Sequence, residues 1–362
     1  MIMTGLRGVG KTVLLNRFAE LAEMAGWESI ELEASKHDET AFRQSIFSKF
    51  RAALLHISPR RRWSERARHA AEVLSSFVLS IDQSGTFSVT WDVDPSEGYG
   101  DHGDLGLDLT DVFLAVGEVA KEKGTGIVLL IDEVQFLTTV QLESLIQAVH
   151  KSVQKKLPIT FVGAGLPQIA ELAGDAKSYA ERLFKFPRID SLTPEEARQA
   201  LVGPAETENV SYDEDAVDLA VSLTHGYPYF IQELGYQAWI VASGNHITAE
   251  DISTAKDAYD AKLDGSFFRV RLDRATPLQT AYMRAMAELG SEPQKAADVA
   301  SLMKRESSQV APIRSQLIDM GLLYTPQHGY AAFTVPDFDK FMMRAVPRLE
   351  VPEIQHRLQR KK

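Results

Sequence analysis

Short apolar runs alternate with stretches in which apolar residues return every three or four positions along the first half of the chain. That alternation predicts strands and amphipathic helices in turn. Residues 1–4 read as a short strand running into a glycine-rich segment. Leu14, Phe18, Leu21 and Ala22 mark a helix over 13–24. A second strand follows at 29–32 and a helix at 42–55. Residues 77–81 and 86–92 are β-rich around Asp82, Gln83, Ser84 and Gly85, a pattern that predicts a hairpin inserted near 77–94. The acidic, glycine-rich stretch 94–104 predicts a mobile loop. After a helix at 109–120, the continuous apolar run 127–131 has the character of a central parallel strand covered on both faces. Strands at 157–163 and 186–189 complete the series.

Beyond residue 193 the strand signals stop. Helical periodicity predicts four helices, at 194–203, 213–224, 228–243 and 249–263, and a polar linker at 264–276. The last unit reads helix, helix, helix, hairpin. Ser307 or Ser308 caps its third helix, whose buried stripe is Val310, Ile313, Leu317 and Met320. Gln309, Arg314 and Gln316 face outward, and Gly321 ends the helix. A hairpin over 322–335 turns at Pro326, Gln327, His328 and Gly329. The expected organisation is a core at 1–192, a helical lid at 193–265, a winged helix-turn-helix at 276–345 and a basic tail at 346–362.

Composition narrows the class. Of 362 residues, 44% are hydrophobic and 25% charged, as in globular chains. The longest apolar run is far too short to span a membrane, and no apolar export segment opens the chain. With no cysteine, disulfides, thiolate-bound zinc and a cysteine nucleophile are excluded, which fits a cytoplasmic protein. The histidines form no HExxH pair, which argues against a zinc hydrolase. The net charge is −11. Surfaces that grip nucleic acid are basic, so DNA binding would need a local patch.

Gly5-Leu6-Arg7-Gly8-Val9-Gly10-Lys11-Thr12 matches GxxxxGK[ST] in full. Glycines let the backbone turn tightly, so that successive N–H groups point at phosphates. The following helix adds its positive end. In such a loop Lys11 reaches the β- and γ-phosphates of ATP, Thr12 ligates Mg²⁺, and Gly5, Gly8, Val9 and Gly10 supply the backbone cradle. Chance produces the pattern in roughly one chain of this length in a hundred.

The run 127–131 ends in Asp132 and Glu133. In open α/β sheets, ligands bind at the carboxyl ends of strands. Asp132 is therefore the candidate to hold Mg²⁺, and Glu133 the general base that activates water. Gln135 either approaches the γ-phosphate or is an exposed turn residue. Arg182 is either an arginine finger acting across a subunit interface or a salt-bridge partner of Glu181 or another acid. Gly226-Tyr227-Pro228 is a helix-capping turn, and Pro228 is a candidate contact for the base.

In the winged helix, Lys304, Arg305, Gln309 and Arg314 are the candidates for double-stranded DNA. Residues 277–344 carry seven basic and seven acidic side chains. That neutrality leaves a protein-interaction module as the alternative. Arg60, Arg61 and Arg62, with Arg66 and Arg68, are a basic cluster that is either a nucleic-acid patch or a solvated helix start.

GLRGVGKT, LLIDEVQFL, VGAGLP, HGYP and a terminal AFTVPDFDKFM together resemble prokaryotic AAA+/STAND-type P-loop ATPases related to archaeal Orc1/Cdc6-like proteins, over essentially the whole chain. The resemblance implies an α/β P-loop core with an AAA+/RecA-like parallel sheet, an all-α lid and a C-terminal winged helix. It also implies that ATP state controls their arrangement. The chain departs from that pattern in lacking a polar side chain in Val162-Gly163-Ala164-Gly165, where a sensor is usual, so slow hydrolysis is expected. The readings are an ATP-hydrolysing switch, a DNA-binding regulator or replication-initiation-like factor with little hydrolysis, and a protein-interaction scaffold. Only residues 1–4 precede Gly5. The segment that usually encloses adenine is thus expected to be missing, with weak ATP/GTP discrimination and an exposed sheet surface near residues 1–4.

Overall fold

The computed structural model describes residues 1–35, 39–79 and 93–352, in two compact units. The first unit comprises Met1–Gly5 and Gly10–Ile189, and the second Leu6–Val9 and Asp190–Lys362. Among the described residues, no helix is long and apolar enough to cross a membrane.

The first unit contains, in order, β1 (Ile2–Thr4), α1 (Lys11–Met24), β2 (Glu28–Glu33), α2 (Glu39–Ile57), α3 (Glu65–Leu79), α4 (Leu105–Lys123), β3 (Ile127–Asp132), α5 (Thr139–Gln154), β4 (Ile159–Gly165), α6 (Ile169–Ala176) and α7 (Ala180–Leu183). The sheet order is β1-β4-β3-β2, parallel throughout, with Thr4 beside Gly165 and Glu33 beside Asp132. The sheet is apolar on both faces, as a covered parallel sheet must be. Met3, Val128, Leu130 and Val162 pack with Leu15 and Ala19 of α1. Ile2, Ile127, Leu129 and Ile131 join the larger core under α2 to α5. Because every strand runs the same way, the residues after β1, β3 and β4 gather at one edge.

The expected exposed sheet surface near residues 1–4 is not found. Ile2 and Met3 are buried, and residues 185–189 run alongside β1. Ile2 N donates to Lys185 O at 2.8 Å, Thr4 N to Pro187 O at 2.9 Å, and Ile189 N to Thr4 O at 2.7 Å. The stretch expected as the last strand is therefore a single bridge at Arg188. Pro187, which has no N–H, limits its pairing.

Two further expectations change. Phe77, Val78 and Leu79, expected to open a hairpin, instead close α3, because Ala70, Val73, Leu74 and Phe77 recur at helical spacing and are buried. The remainder of that hairpin, residues 80–92, lies outside the described residues. The loop at 94–104, expected to be mobile, is tied by its amides. Gly100 N donates to Asp111 at 3.1 Å and His102 N to Asp108 at 2.8 Å. Asp108 is buried because Arg43, itself 1% exposed, lies 2.9 Å away. Arg43 also donates to Phe77 O.

In the second unit, α8 (Pro194–Thr207), β5 (Ser211–Tyr212), α9 (Glu214–Thr224), α10 (Pro228–Val241), β6 (His246–Ile247) and α11 (Ala249–Lys262) come first. Capping boxes fix two of these helix starts, Thr193 with Glu196 and Thr248 with Asp251, each satisfying otherwise orphaned N–H groups. The short parallel β5–β6 pair was not signalled by the sequence. Nor does a polar linker follow α11. A π-helical turn, Leu263–Phe268, and α12 (Arg269–Leu272) fill that stretch. Leu263, Phe267, Phe268 and Leu272 are buried there, and Phe268 stacks on Phe341 at 5.2 Å.

The winged helix follows as α13 (Pro277–Leu289), β7 (Gln294–Lys295), α14 (Ala296–Leu302), α15 (Ser307–Asp319), β8 (Leu323–Tyr324), β9 (Tyr330–Phe333) and α16 (Phe338–Ala345). Its sheet order is β7-β9-β8, antiparallel. Glu306, not Ser307 or Ser308, caps α15, in a capping box with Gln309.

Arg43→Ala leaves Asp108 buried and unpaired. It is expected to destabilise the first unit by about 3–5 kcal/mol, read as a lower denaturation midpoint in urea.

Candidate functional site

Gly8 and Gly10 have φ of +86° and +92°, a region that only glycine enters freely. These angles carry the chain from β1 into α1, which starts at Lys11 directly after Gly10. Gly5 N donates to Gly165 O at 3.1 Å, so the loop leaves the sheet from beside the end of β4. Lys11 is buried, and its Nζ donates to Gly5 O at 2.9 Å. The ammonium is thereby held across the two ends of the loop.

Thr12 Oγ1 donates to Asp132 Oδ2 at 2.5 Å. The end of β3 is thus brought against the start of α1, and a hydroxyl and a carboxylate oxygen lie together. These are hard oxygen donors of the kind Mg²⁺ takes, usually with waters and substrate phosphate completing its shell. Among the described residues, no group of three or more His, Cys, Asp or Glu could hold a metal by itself.

Glu133 adopts the left-handed conformation, φ 53°, uncommon for a non-glycine residue. Its N–H donates to Asp132 Oδ1 at 2.7 Å. Gln135 donates through Nε2 to Glu133 Oε2 and accepts from Leu166 N at 3.0 Å through Oε1. It is not a free turn residue.

The four residues at the crown of the loop, Leu6–Val9, belong with the second unit. Gly8 O accepts from Tyr229 N at 3.2 Å. A Cβ at Gly8 would lie 2.9 Å from the Tyr227 hydroxyl and 3.2 Å from Tyr229 Cβ. Arg7 N donates to Thr334 O at 3.2 Å. The Arg7 guanidinium lies where a Cβ on Gly321 would be, and Thr334 Oγ1 donates to Gly321 O at 2.8 Å. Tyr227 is 1% exposed, and burial holds its hydroxyl well above the ordinary tyrosine pKa. Tyr229 stacks on Phe267 at 4.3 Å, and the Arg271 guanidinium lies 4.0 Å from the centre of that same Phe267 ring. Burial, and then the charge of Arg7, lower the Arg271 pKa.

Of the expected site residues, Gly5, Lys11, Thr12, Asp132 and Glu133 are linked by these bonds. Val9 is buried and Pro228 opens α10 as its first residue. Arg182 is exposed on α7. Lys304 is exposed with φ 53°. Arg305 donates to Pro352 O, Gln309 accepts from Glu306 N at 3.1 Å, and Arg314 is half-buried. Sequence reasoning missed Arg7 and Tyr229, named Tyr227 only as part of a helix-capping turn, and read Gly165 only as the lack of a polar side chain. The available signals were an arginine at a variable position of the loop and aromatic residues on both sides of Pro228.

A family model described as AAA domain matches residues 1–170. The core is an AAA+ P-loop domain. A model described as a domain of unknown function, DUF8462, matches residues 265–342, which run from the π-helical turn into α16. A comparison with curated proteins finds no match. A Walker-type ATPase of Pyrococcus abyssi is 16% identical, with a TM-score of 0.57 over 94% of this chain and 90% of that one. The two share a fold. RuvB of Thermotoga maritima gives 13% identity and 0.46 over 97% and 87%. Cdc6p of Pyrobaculum aerophilum gives 14% and 0.43 over 95% and 86%.

Lys11→Ala removes the cation at the mouth of the loop. ATP affinity measured by calorimetry is expected to fall about 10–100-fold, the worth of one or two charge-assisted hydrogen bonds. Unchanged affinity would contradict the assignment of Lys11.

Proposed function

We propose that this AAA+ chain is an ATP-hydrolysing switch in which nucleotide state sets the position of the winged helix. ATP binds with its phosphates on the backbone of Gly5–Thr12. Lys11 would contact the β- and γ-phosphates, and Thr12 and Asp132 would hold Mg²⁺, which would supply charge neutralisation at the phosphates. Glu133 orients the attacking water and takes its proton. The observation that carries the reading is the double use of Leu6–Val9. The residues that would face the phosphates also hold Tyr229 through Gly8 O and Thr334 through Arg7 N. An anion that reorders those backbone groups acts directly on the lid turn and on the wing. A ligand shifts such an equilibrium only by contacts that differ between states, and this segment provides them.

The DNA-binding reading has less support. Arg305 and Gln309 are engaged by backbone groups of their own unit, which leaves Lys304 and Arg314 as the basic candidates on or beside α15. An arginine finger at Arg182 remains a proposal for a self-associated form.

Phosphate release in Mg²⁺ and ATP tests the enzymatic part. The unmutated chain is expected to turn over. Glu133→Gln is expected to bind ATP normally and lose about 100-fold or more in kcat, the range for removal of a general base. Equal rates in the two proteins would remove Glu133 from that role.

A further inference from the structure

Gln135 stands in the single turn of 3-10 helix, Val134–Phe136, that follows Glu133. Its side chain crosses to the end of β4. That strand closes in Gly163, Ala164 and Gly165 and presents no polar side chain of its own there. The amide has one orientation that satisfies both neighbours. Its oxygen faces a backbone donor, Leu166 N, at 3.0 Å, and its nitrogen faces the Glu133 carboxylate. Flipping the amide would set N–H against N–H and oxygen against carboxylate.

The anchor at Leu166 is backbone at the end of a strand in the middle of the sheet. A rigid anchor fixes the amide, and the amide fixes one carboxylate oxygen of Glu133. Glu133 itself sits at φ 53°, a conformation that persists in a non-glycine residue only when its surroundings hold it. Gly165 is part of the same arrangement. A Cβ there would lie 2.8 Å from Gln135 Oε1, so any larger residue would push the amide off its anchor.

Resting on the reading of Glu133 as the base, we infer that Gln135 is a positioning residue for hydrolysis, clasping the Glu133 carboxylate to the end of β4 through the space left by Gly165. A base aligned in advance contributes to rate through orientation, whereas ATP binding rests on the loop. Loss of the clasp therefore lowers kcat and leaves KM for ATP in place.

The test is steady-state phosphate release by Gln135→Ala, the nearly isosteric Gln135→Glu, and Gly165→Ala in the full chain. Each is expected to lower kcat about 10-fold or more with KM within about twofold. Gln135→Glu keeps the size of the side chain but replaces the donor by a second carboxylate, so a rate near the unmutated one would overturn the clasp. Placed on Glu133→Gln, Gln135→Ala is expected to change the residual rate by less than about twofold, because the clasp has no base left to position. A further full loss in that background would show that Gln135 acts elsewhere and would also overturn the proposal. If the unmutated chain does not turn over, the reading of Glu133 falls and the clasp with it. If it turns over and Gln135→Ala matches it in kcat, the clasp alone falls.

Discussion

Gly8 has no room for a side chain, and two parts of the molecule depend on that. Its φ of +86° gives the loop the turn that points backbone N–H groups inward. The missing side chain also lets Tyr227 and Tyr229 close on it, with Gly8 O accepting from Tyr229 N at 3.2 Å. The same four-residue crown carries Arg7, whose N–H reaches Thr334 O at 3.2 Å in the wing. Any residue with a Cβ at position 8 would strain the loop and collide with the tyrosines together. In the proposed mechanism this shared constraint is the coupling, since it requires no element beyond the loop itself.

The chemistry at the sheet edge follows from strand direction. Parallel register sets the ends of β1, β3 and β4 side by side, so Gly5, Asp132 and Gly165 become neighbours although they are distant in sequence. Short polar links then tie that edge together: Lys11 to Gly5, Thr12 to Asp132, and Gln135 to both Glu133 and Leu166. Each link joins an oxygen or an N–H that would otherwise need water, which is the general rule for partly buried polar groups. The edge is therefore ordered by contacts within the first unit, while the crown is ordered by contacts within the second.

Much of this was legible in the chain. The apolar run before Asp132 and the glycine spacing before Lys11 mark the two halves of the proposed phosphate site, because their chemistry is local. The starts of the helices expected at 194 and 249 are also local, set in the structure by capping side chains three residues apart, Thr193 with Glu196 and Thr248 with Asp251. What escaped the sequence was long-range. Phe77 has β propensity, yet packing at helical spacing with a buried Arg43 beside it decides for helix. Phe267 and Phe268 sit in a polar stretch, and only their ring contacts with Tyr229 and Phe341 reveal that it is not a linker. Arg7 occupies a position at which the loop motif tolerates any residue, so its hold on the wing left no mark in the pattern. Gly165 read as a missing polar group, whereas its absent side chain is what admits Gln135.

The central claim is that nucleotide in the loop acts on the second unit through Leu6–Val9. Amide hydrogen exchange of the full chain, followed at Tyr229 and in the peptides around Thr334 with and without Mg²⁺ and ATP, tests it most directly. The account predicts that ATP slows exchange across residues 5–12 and at the same time changes it at Tyr229 and around Thr334. Protection confined to residues 5–12, with those two regions unchanged, would contradict it.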